Sequence, residues 1–209
     1  MLRRLRDFSY TLLPVQYRFS RIYKYNRWGS DESRSGDGST FRSTENLRNL
    51  LTEIISDSNV ESIVDIACGD FNWMSDVMKD VDIKYLGLDI VPSVIEDNIK
   101  SYGSERIDFK VANVIREIPP KADLAVFRDC MLHLSFADGL SALKNIKSSG
   151  SPFVLMSTWP STSKNEDILS GHWRPVDLRE PPFSLPEPIR IIKENESGKH
   201  AGLWKTSDM

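Results

Sequence analysis

The stretch that decides the fold is residues 62–72, which read SIVDIACGDFN. Its first half is a short β-branched run typical of a buried strand, and the run stops at residues 68–70 (CGD). The glycine there allows a sharp turn and a close approach of the backbone to a ligand. Apolar side chains then recur at helical spacing, and Asp70 or Asn72 could cap that helix. The stretch therefore predicts a strand, a tight turn and a helix.

A second strand is predicted at residues 84–90 (KYLGLDI), about twenty residues after the first, and it ends in the acid Asp89. In nucleotide-binding α/β units, an acid at this place accepts hydrogen bonds from the hydroxyls of a ribose. The turn after the first strand holds the single glycine Gly69, so the GxGxxG fingerprint of dinucleotide-binding domains is absent. The two strands therefore predict a ribose-containing ligand and disfavour an NAD-dependent oxidoreductase.

Together these motifs resemble those of the class I methyltransferases that depend on S-adenosylmethionine (SAM). The family's first motif consists of an acid, a small residue, often a cysteine, a glycine and a further acid. Residues 65–70 match it. The second motif, the acid that closes the next strand, matches Asp89. The resemblance implies a Rossmann-like α/β fold with a seven-stranded, mostly parallel sheet, an antiparallel last strand and helices on both faces. It also implies SAM as the cofactor, with Asp70 near its amino-acid end and Asp89 on its ribose. The candidate cofactor-binding residues are Asp65, Ala67, Cys68, Gly69, Asp70, Trp73, Asp89, Ile90, Asn113 and Arg128.

Asn113 follows the third predicted strand, residues 106–111, at the place where this family commonly has an aspartate that bonds the adenine amino group. The carbonyl of an asparagine can still accept that hydrogen. The alternative that stays open is an asparagine in a surface turn.

Length and composition indicate one globular domain with a short appendage. Of the 209 residues, 40% are hydrophobic and 27% are charged, which is ordinary for a soluble protein. We predict a methyltransferase domain at residues 43–209, preceded at residues 1–42 by a basic extension and a loop rich in glycine and serine. No apolar run approaches the ~20 residues that span a bilayer, so we expect a cytoplasmic location. The net charge of −3 disfavours a nucleic-acid partner, and the spacing of the two cysteines disfavours a metal site.

Residues 1–27 differ from the rest of the chain in charge, because seven basic residues stand there against the single acid Asp7. Such a basic, aromatic-rich segment can make weak contact with an anionic membrane surface or hold a phosphorylated substrate. The alternative is a helix that packs on the domain with its basic side in water. The basic residues are Arg3, Arg4, Arg6, Arg18, Arg21, Lys24 and Arg27.

Residues 28–40 (WGSDESRSGDGST) have the composition of a mobile loop. Backbone N–H groups and hydroxyls at such density also suit the recognition of a phosphate or a carboxylate. The pattern W-G-x-x-E-S-x-S-G-x-G-S ahead of D-x-x-C-G-D-F-x-W-M resembles a branch of small bacterial-type methyltransferases that is often associated with surface-glycan gene sets. That resemblance covers most of the chain and implies that the loop folds over the cofactor or the substrate. The candidate substrate-binding residues of the loop are Trp28, Glu32, Ser33 and Ser35.

The candidate catalytic residues, Asp129 and His133, follow the fourth predicted strand at residues 122–127. Ligands of open α/β sheets bind beyond the carboxyl ends of the strands. If a helical turn follows the strand, the two side chains share one face, and the acid could orient and charge the histidine. Such a histidine could act as the base that an alcohol acceptor requires. The alternative is that Asp129 caps the helix and His133 is a half-buried structural residue, although the resembling branch has R-D-x-x-x-H-L here.

A long, proline-rich connection at residues 159–188 follows the fifth predicted strand. Loops of this length in compact domains are usually functional or disordered, and the aromatic and aliphatic residues here favour an ordered one. It should reach the same edge of the sheet as Asp129, so further substrate-binding candidates are Asn165, His172, Trp173 and Arg174. Arg174 would suit an anionic acceptor. The alternative is that these residues only hold the loop in place, ahead of a predicted hairpin of the last two strands.

The sequence thus predicts an enzyme that transfers a methyl group from SAM to a small polar or anionic acceptor. Through the resemblance, a sugar-linked acceptor in surface-polysaccharide biosynthesis is a candidate. The alternatives are a SAM-binding protein without catalysis, a methyltransferase that acts on a protein or an RNA, and the disfavoured NAD-dependent oxidoreductase.

Overall fold

The structure, a computed structural model, describes residues 13–57 and 59–209 and is built on one seven-stranded sheet. The strands are β1 Ser62–Ile66, β2 Lys84–Asp89, β3 Ile107–Val111, β4 Leu124–Phe127, β5 Phe153–Thr158, β6 Arg190–Lys193 and β7 His200–Lys205. Their order across the sheet is β3-β2-β1-β4-β5-β7-β6. The first five strands run parallel, and β7 runs antiparallel to β5 and β6. The predicted seven-stranded, mostly parallel sheet with an antiparallel last strand is therefore confirmed.

Helices cover both faces of the sheet, as predicted. They are α1 Val15–Lys24, α2 Glu45–Asp57, α3 Met74–Asp80, α4 Pro92–Tyr102 and α5 Phe136–Ser148. The side chains of β1 alternate between two hydrophobic clusters, since Val64 and Ile66 belong to the cluster with α1 and α5, whereas Ile63 belongs to the cluster with α2 and α3. A strand that is buried on both faces reads as a continuous apolar run, and Asp65 is the exception in positions 63–66.

Helix α3 begins at Met74 without a side-chain cap. The prediction that Asp70 or Asn72 caps this helix is therefore wrong. The side chains of both residues bind the loop of residues 28–40 instead, which removes them from the end of the helix.

Helix α1 packs on the domain through one side and leaves the other side in water. Phe19, Ile22 and Tyr23 belong to the hydrophobic cluster that also contains residues of β4 and β5. On the opposite side, Tyr17 and Tyr25 are 49% and 56% exposed. The first three arginines of the predicted basic segment lie outside the described residues. None of the described helices is long and apolar enough to cross a membrane.

The connection between β5 and β6 is ordered along the carboxyl edge of the sheet. The Trp159 N–H donates to the Val176 carbonyl (2.8 Å), and the Gly171 N–H donates to the His133 carbonyl (2.8 Å). Several of its apolar side chains, such as Leu178, are buried. The expectation of an ordered connection that reaches this edge is therefore confirmed.

Candidate functional site

In the turn between β1 and α3, every second residue has a left-handed backbone conformation. Ala67, Gly69 and Phe71 have φ angles of 63°, 60° and 59°. This conformation is uncommon for residues other than glycine, so neighbouring contacts must hold Ala67 and Phe71 in it. One such contact is the Cys68 N–H, which donates to the Leu88 carbonyl over 3.0 Å. The turn is thereby joined to the end of β2.

Asp89, the last residue of β2, binds this turn through its side chain. One carboxylate oxygen accepts from the Gly69 N–H (3.1 Å), and the other accepts from the Val91 N–H (2.9 Å). Burial raises the pKa of Asp89 to about 6, although hydrogen bonds from the backbone oppose the rise. At pH 7 the group is therefore a carboxylate, and each oxygen keeps a lone pair for a ligand.

Asp89 lies at the junction of two cavities, the first of which is apolar. This first cavity has a volume of about 270 Å³ and is bounded by α1, by the carboxyl ends of β1 and β2 and by the chain that follows β3. Its apolar lining includes Phe19, Ile66, Leu88, Ile90, Ile115 and Leu134. The cavity is thus suited to a flat apolar group.

Asn113 lines the first cavity, but its side-chain oxygen is already engaged. That oxygen accepts from the Ile115 N–H over 3.1 Å, and the Asn113 N–H donates to the Glu117 carboxylate over 3.0 Å. The predicted bond from an adenine amino group would therefore be a second hydrogen bond at the same oxygen.

The second cavity lies over the motif turn and has a volume of about 80 Å³. The residues that it shares with the first cavity are Phe19, Ala67, Asp89, Ile90 and Cys130. All of the predicted cofactor-binding residues except Asp70 line one or both of these cavities. The structure therefore brings that set together at one place.

Asp70 instead holds the loop of residues 28–40 over the turn. Its carboxylate accepts from the Ser33 hydroxyl (2.9 and 3.0 Å), the Ser35 hydroxyl (3.0 Å) and the Arg34 N–H (2.7 Å). These donors occupy most of the capacity of one carboxylate. The structure thus gives Asp70 a different role from the predicted contact with the amino-acid end of the cofactor.

The close approach of the loop also explains the glycine at position 69. A Cβ atom on Gly69 would collide with Ser35 Oγ and would lie 2.8 Å from the hydroxyl oxygen of Tyr23. The same Ser35 Oγ accepts from the Asp70 N–H (3.1 Å) and bonds the Tyr23 hydroxyl. The loop therefore covers the turn, and whether it also folds over a cofactor or a substrate stays a prediction of the resemblance.

The four substrate-binding candidates of the loop divide into two pairs. Glu32 accepts from the Phe41 N–H (2.7 Å), and Ser33 is buried against Asp70, so these two stabilise the loop itself. Trp28 and Ser35 line the cavities.

A third cavity, of about 330 Å³, adjoins the second one. The residues common to both are Trp28, Ser35, Asp129 and His133. Further lining comes from Trp159 and Trp173 in the long connection and from Lys199 in the turn before β7. The three cavities form a row along the carboxyl edge of the sheet, with Asp89 at the first junction and His133 at the second.

His133 ends a short 3-10 turn, Met131–His133, and its ring is fixed by a backbone carbonyl. Nδ1 lies 2.7 Å from the His172 carbonyl oxygen, and because a carbonyl can only accept, Nδ1 carries the hydrogen. Burial lowers the pKa of His133 below its usual value, so the ring is neutral at pH 7 and Nε2 can take up a proton. The Trp28 ring packs on the imidazole with ring centres 5.1 Å apart.

Asp129 forms its bonds with groups other than this ring. Its carboxylate accepts from the Ser157 hydroxyl (2.9 Å) and from Lys199 Nζ (2.7 Å), and Arg128 lies 3.1 Å away. Burial alone would raise the pKa of Asp129, but the two cations outweigh burial and hold that pKa well below its usual value. The group therefore stays ionised.

Asp129 neither orients the ring of His133 nor caps the following helix, although its negative charge still acts to raise the pKa of His133. The His172 carbonyl orients the ring of His133, and the following helix α5 is capped by Ser135, whose hydroxyl accepts from the Asp138 N–H (3.2 Å). The physical reason is the path of the chain, which makes a left-handed turn at Asp129 (φ 50°) and then a 3-10 turn in place of the assumed α-helical turn.

The candidates in the long connection are also separated by the structure. Trp173 lines the third cavity and is 59% exposed. Asn165 is buried and donates to the Asp177 carbonyl over 2.8 Å, and the buried Arg174 guanidinium lies 5.2 Å from the centre of the Phe136 ring. For Asn165, the structure shows the alternative, in which it holds the loop in place. Arg174 lies outside the lining of the three cavities, and its role toward an anionic acceptor stays a prediction.

Lys199 and Glu194 were not found by sequence reasoning. Lys199 Nζ lies 2.7 Å from Asp129 and 3.2 Å from Glu194, and neither residue belongs to a motif. The signal that could have found them is topological. Because β7 is antiparallel and pairs His200 with Thr158, the residues just before β7 lie at the carboxyl end of β5.

Comparison with known proteins identifies the fold. No protein-family model matches the chain, and no curated protein is found to be similar to it in sequence. Among solved structures, it is similar to the methyltransferase domain of a bacterial protein, CtHen1-C, with a TM-score of 0.60, 15% identity and coverage of 78% of this chain and 98% of that one.

This chain is also similar to part of two longer proteins of known structure. Human N-acetylserotonin methyltransferase in complex with SAM has a TM-score of 0.60 and 14% identity, over 92% of this chain and 60% of that one. An O-methyltransferase family protein from Burkholderia thailandensis has a TM-score of 0.55 and 12% identity, over 78% of this chain and 55% of that one. Identities this low show the fold alone, and the chain has the Rossmann-like fold of these methyltransferases.

Proposed function

We propose that the protein is an enzyme that transfers a methyl group from SAM to a small polar acceptor. The observation that carries the proposal is the row of three cavities, because a carboxylate suited to a ribose lies at one junction and a neutral histidine at the other. The fold shared with methyltransferases supports the same conclusion.

The residues of the first two cavities fit SAM. The apolar first cavity suits an adenine ring, and Asp89 can accept hydrogen bonds from ribose hydroxyls. The second cavity, above the Gly69 turn and with Asp65 in its wall, suits the methionine part. When bound, SAM would supply a methyl group on a positively charged sulfur, with the electrons of the broken carbon–sulfur bond remaining on sulfur.

His133 is the proposed base. Its Nε2 would take the proton of an acceptor hydroxyl while the acceptor oxygen forms its bond to carbon, and a positioned base of this kind contributes typically 10²–10⁴-fold to a rate. Helix α1 and the loop of residues 28–40 line the cavities on the outer side and would keep water from the reacting atoms.

The third cavity is the proposed acceptor site. Trp28, Trp159 and Trp173 offer aromatic faces there, while Ser35 and Asn195 are polar neighbours that can form hydrogen bonds. Such a lining suits a polar ring and supports a sugar-linked acceptor. The further proposal of a role in surface-polysaccharide biosynthesis rests on the sequence resemblance alone.

The test of the proposed function is isothermal titration with SAM and, separately, with S-adenosylhomocysteine. We expect micromolar binding of both, after which candidate acceptors would be screened by the mass gain of one methyl group. Binding of neither compound, or binding of NADH in their place, would overturn the proposal.

A further inference from the structure

Four charged side chains form a closed ring beside the third cavity. Arg128 contacts Asp129 (3.1 Å) and Glu194 (2.8 Å), and Lys199 contacts the same two carboxylates at 2.7 and 3.2 Å. The side chains of Arg128, Lys199 and Glu194 are at most 4% exposed. Two cations and two anions therefore cancel within a buried group.

Two members of the ring, Asp129 and Lys199, line the cavity. The ammonium group of Lys199 is the charge that an anionic acceptor would seek, yet it already lies between two carboxylates. An added anion would gain from Lys199 and lose against Asp129 and Glu194 at similar range. The lysine therefore offers little net attraction for an anion.

The other side chains that line the cavity make its net charge negative, which disfavours an anion further. In the described part of the chain, Asp37 is the one other charged residue of this wall, so that two acids and one base sum to −1. His133 is neutral at pH 7, because burial lowers its pKa. Arg174, which sequence reasoning assigned to an anionic acceptor, lies over Phe136 and outside this lining, and its positive charge reaches the cavity only through its effect on His133.

We propose that the ring of charges makes the acceptor site select an uncharged hydroxyl compound over its carboxylate or phosphate counterpart, with Glu194 as the specificity-determining residue. The inference rests on the proposed function and names the chemical class of its acceptor. The base His133 agrees with it, since a hydroxyl acceptor must lose a proton and a carboxylate acceptor need not. Glu194 acts from behind the cavity, because removal of its charge leaves two cations facing Asp129 alone.

The test is Glu194→Gln, which removes one charge and nearly preserves the shape of the side chain. Trp173 and Trp28 line the cavity and are more exposed than the other tryptophans, which are buried. Quenching of tryptophan fluorescence by iodide, acrylamide and caesium, measured at constant ionic strength, therefore compares a negative, a neutral and a positive probe there. The matched control is Glu196→Gln, which removes the same charge from an exposed position of the same hairpin.

In Glu194→Gln we expect iodide quenching to rise about twofold and caesium quenching to fall by a similar factor, with acrylamide unchanged. Glu196→Gln should change each value less. Equal changes in the two variants would overturn the proposal. So would a second result, in which iodide quenches the parent protein more strongly than caesium does after each value is divided by that for free tryptophan. Should Glu194→Gln not fold, Lys199→Met provides the same test with opposite signs.

A second measurement uses SAM with pairs of compounds that share a skeleton, such as methyl glucoside and methyl glucuronide. We expect the uncharged member to be methylated about tenfold faster, and a preference for the carboxylate would overturn the proposal. Where neither member is methylated, the quenching comparison decides alone. Failure of SAM to bind would instead overturn the proposed function and leave the quenching result standing.

Discussion

The proposed cofactor side and the proposed acceptor side of the site are built in different ways. The proposed cofactor side is centred on one continuous stretch, residues 62–91, in which two parallel strands and a turn are joined by bonds such as that from Gly69 to Asp89. Helix α1 and the chain that follows β3 complete its lining. The acceptor side is assembled from residues far apart in the chain, among them Trp28, His133 and Lys199. Local chain geometry therefore determines the centre of the first side, and tertiary contacts determine the second side.

This difference predicts that the two sides can be damaged separately. A change on the acceptor side should slow methyl transfer and leave SAM affinity almost unchanged, whereas a change on the cofactor side should weaken SAM binding first. If each substitution, on either side, reduced both SAM affinity and the rate of methyl transfer, the two sides would form one cooperative unit.

The largest effect is expected from His133→Gln on the acceptor side. Turnover of the acceptor should fall by about 10²–10⁴-fold, because the base is lost, while SAM affinity stays within about twofold. Single-turnover rates and titration calorimetry would measure the two quantities. The control is His172→Ala, which keeps the backbone carbonyl that fixes the ring, and unchanged turnover in His133→Gln would reduce His133 to a structural residue.

On the cofactor side, Asp89→Asn should weaken SAM binding by about 1–3 kcal/mol through loss of a charged hydrogen-bond acceptor. Because the pKa of Asp89 is about 6, the parent protein should also bind SAM more weakly at pH 5 than at pH 7, and this pH dependence should be smaller in the variant, in which Asp65 still titrates. Calorimetry at both pH values checks this, with the exposed Asp97→Asn as control. An affinity equal to that of the parent would place Asp89 outside the binding site.

The contact between the two sides is tested by Ser33→Ala. The buried hydroxyl donates to Asp70, so its removal should lower the free energy of unfolding by about 1–2 kcal/mol and speed hydrogen exchange in residues 28–40. Urea denaturation and exchange mass spectrometry would measure these changes, and Ser101→Ala on an exposed helix position is the control. Unaltered exchange in the loop would show that Asp70 does not hold it.

The smallest effect concerns Asp65, which lies under the cofactor side and accepts from the Tyr85 hydroxyl over 2.8 Å. Burial raises its pKa to about 7, so the folded state binds a proton more tightly than the unfolded state does. The free energy of unfolding should therefore fall by about 1 kcal/mol from pH 6 to pH 8 in the parent, relative to Asp65→Asn. Parallel pH dependence of the two proteins in urea denaturation would contradict the raised pKa.

The same contrast explains how much of the molecule could be predicted. The first strands and the position of Asp89 follow from β-branched runs and turn residues, which act over a few neighbours, whereas the seven-stranded sheet and its antiparallel strand are implied by the family resemblance. The partner of His133 and the ion pair of Lys199 depend on how distant loops meet at the edge of the sheet, and no local pattern encodes that. Asp70 shows that this limit applies even inside a motif. The motif identifies the acid, but the sequence does not indicate that the serines of the loop are its hydrogen-bond partners.

Helix α1 has a kinetic consequence for the proposed enzyme. Phe19 lines both cofactor cavities, and Gln16 Nε2 donates to the Ile90 carbonyl over 3.0 Å. Each catalytic cycle must replace the spent cofactor, and motion that lifts α1 from these cavities would speed its release. Because Tyr17 lies in water on the opposite side of α1, a change there that loosens the helix would act on cofactor release without touching any reacting group.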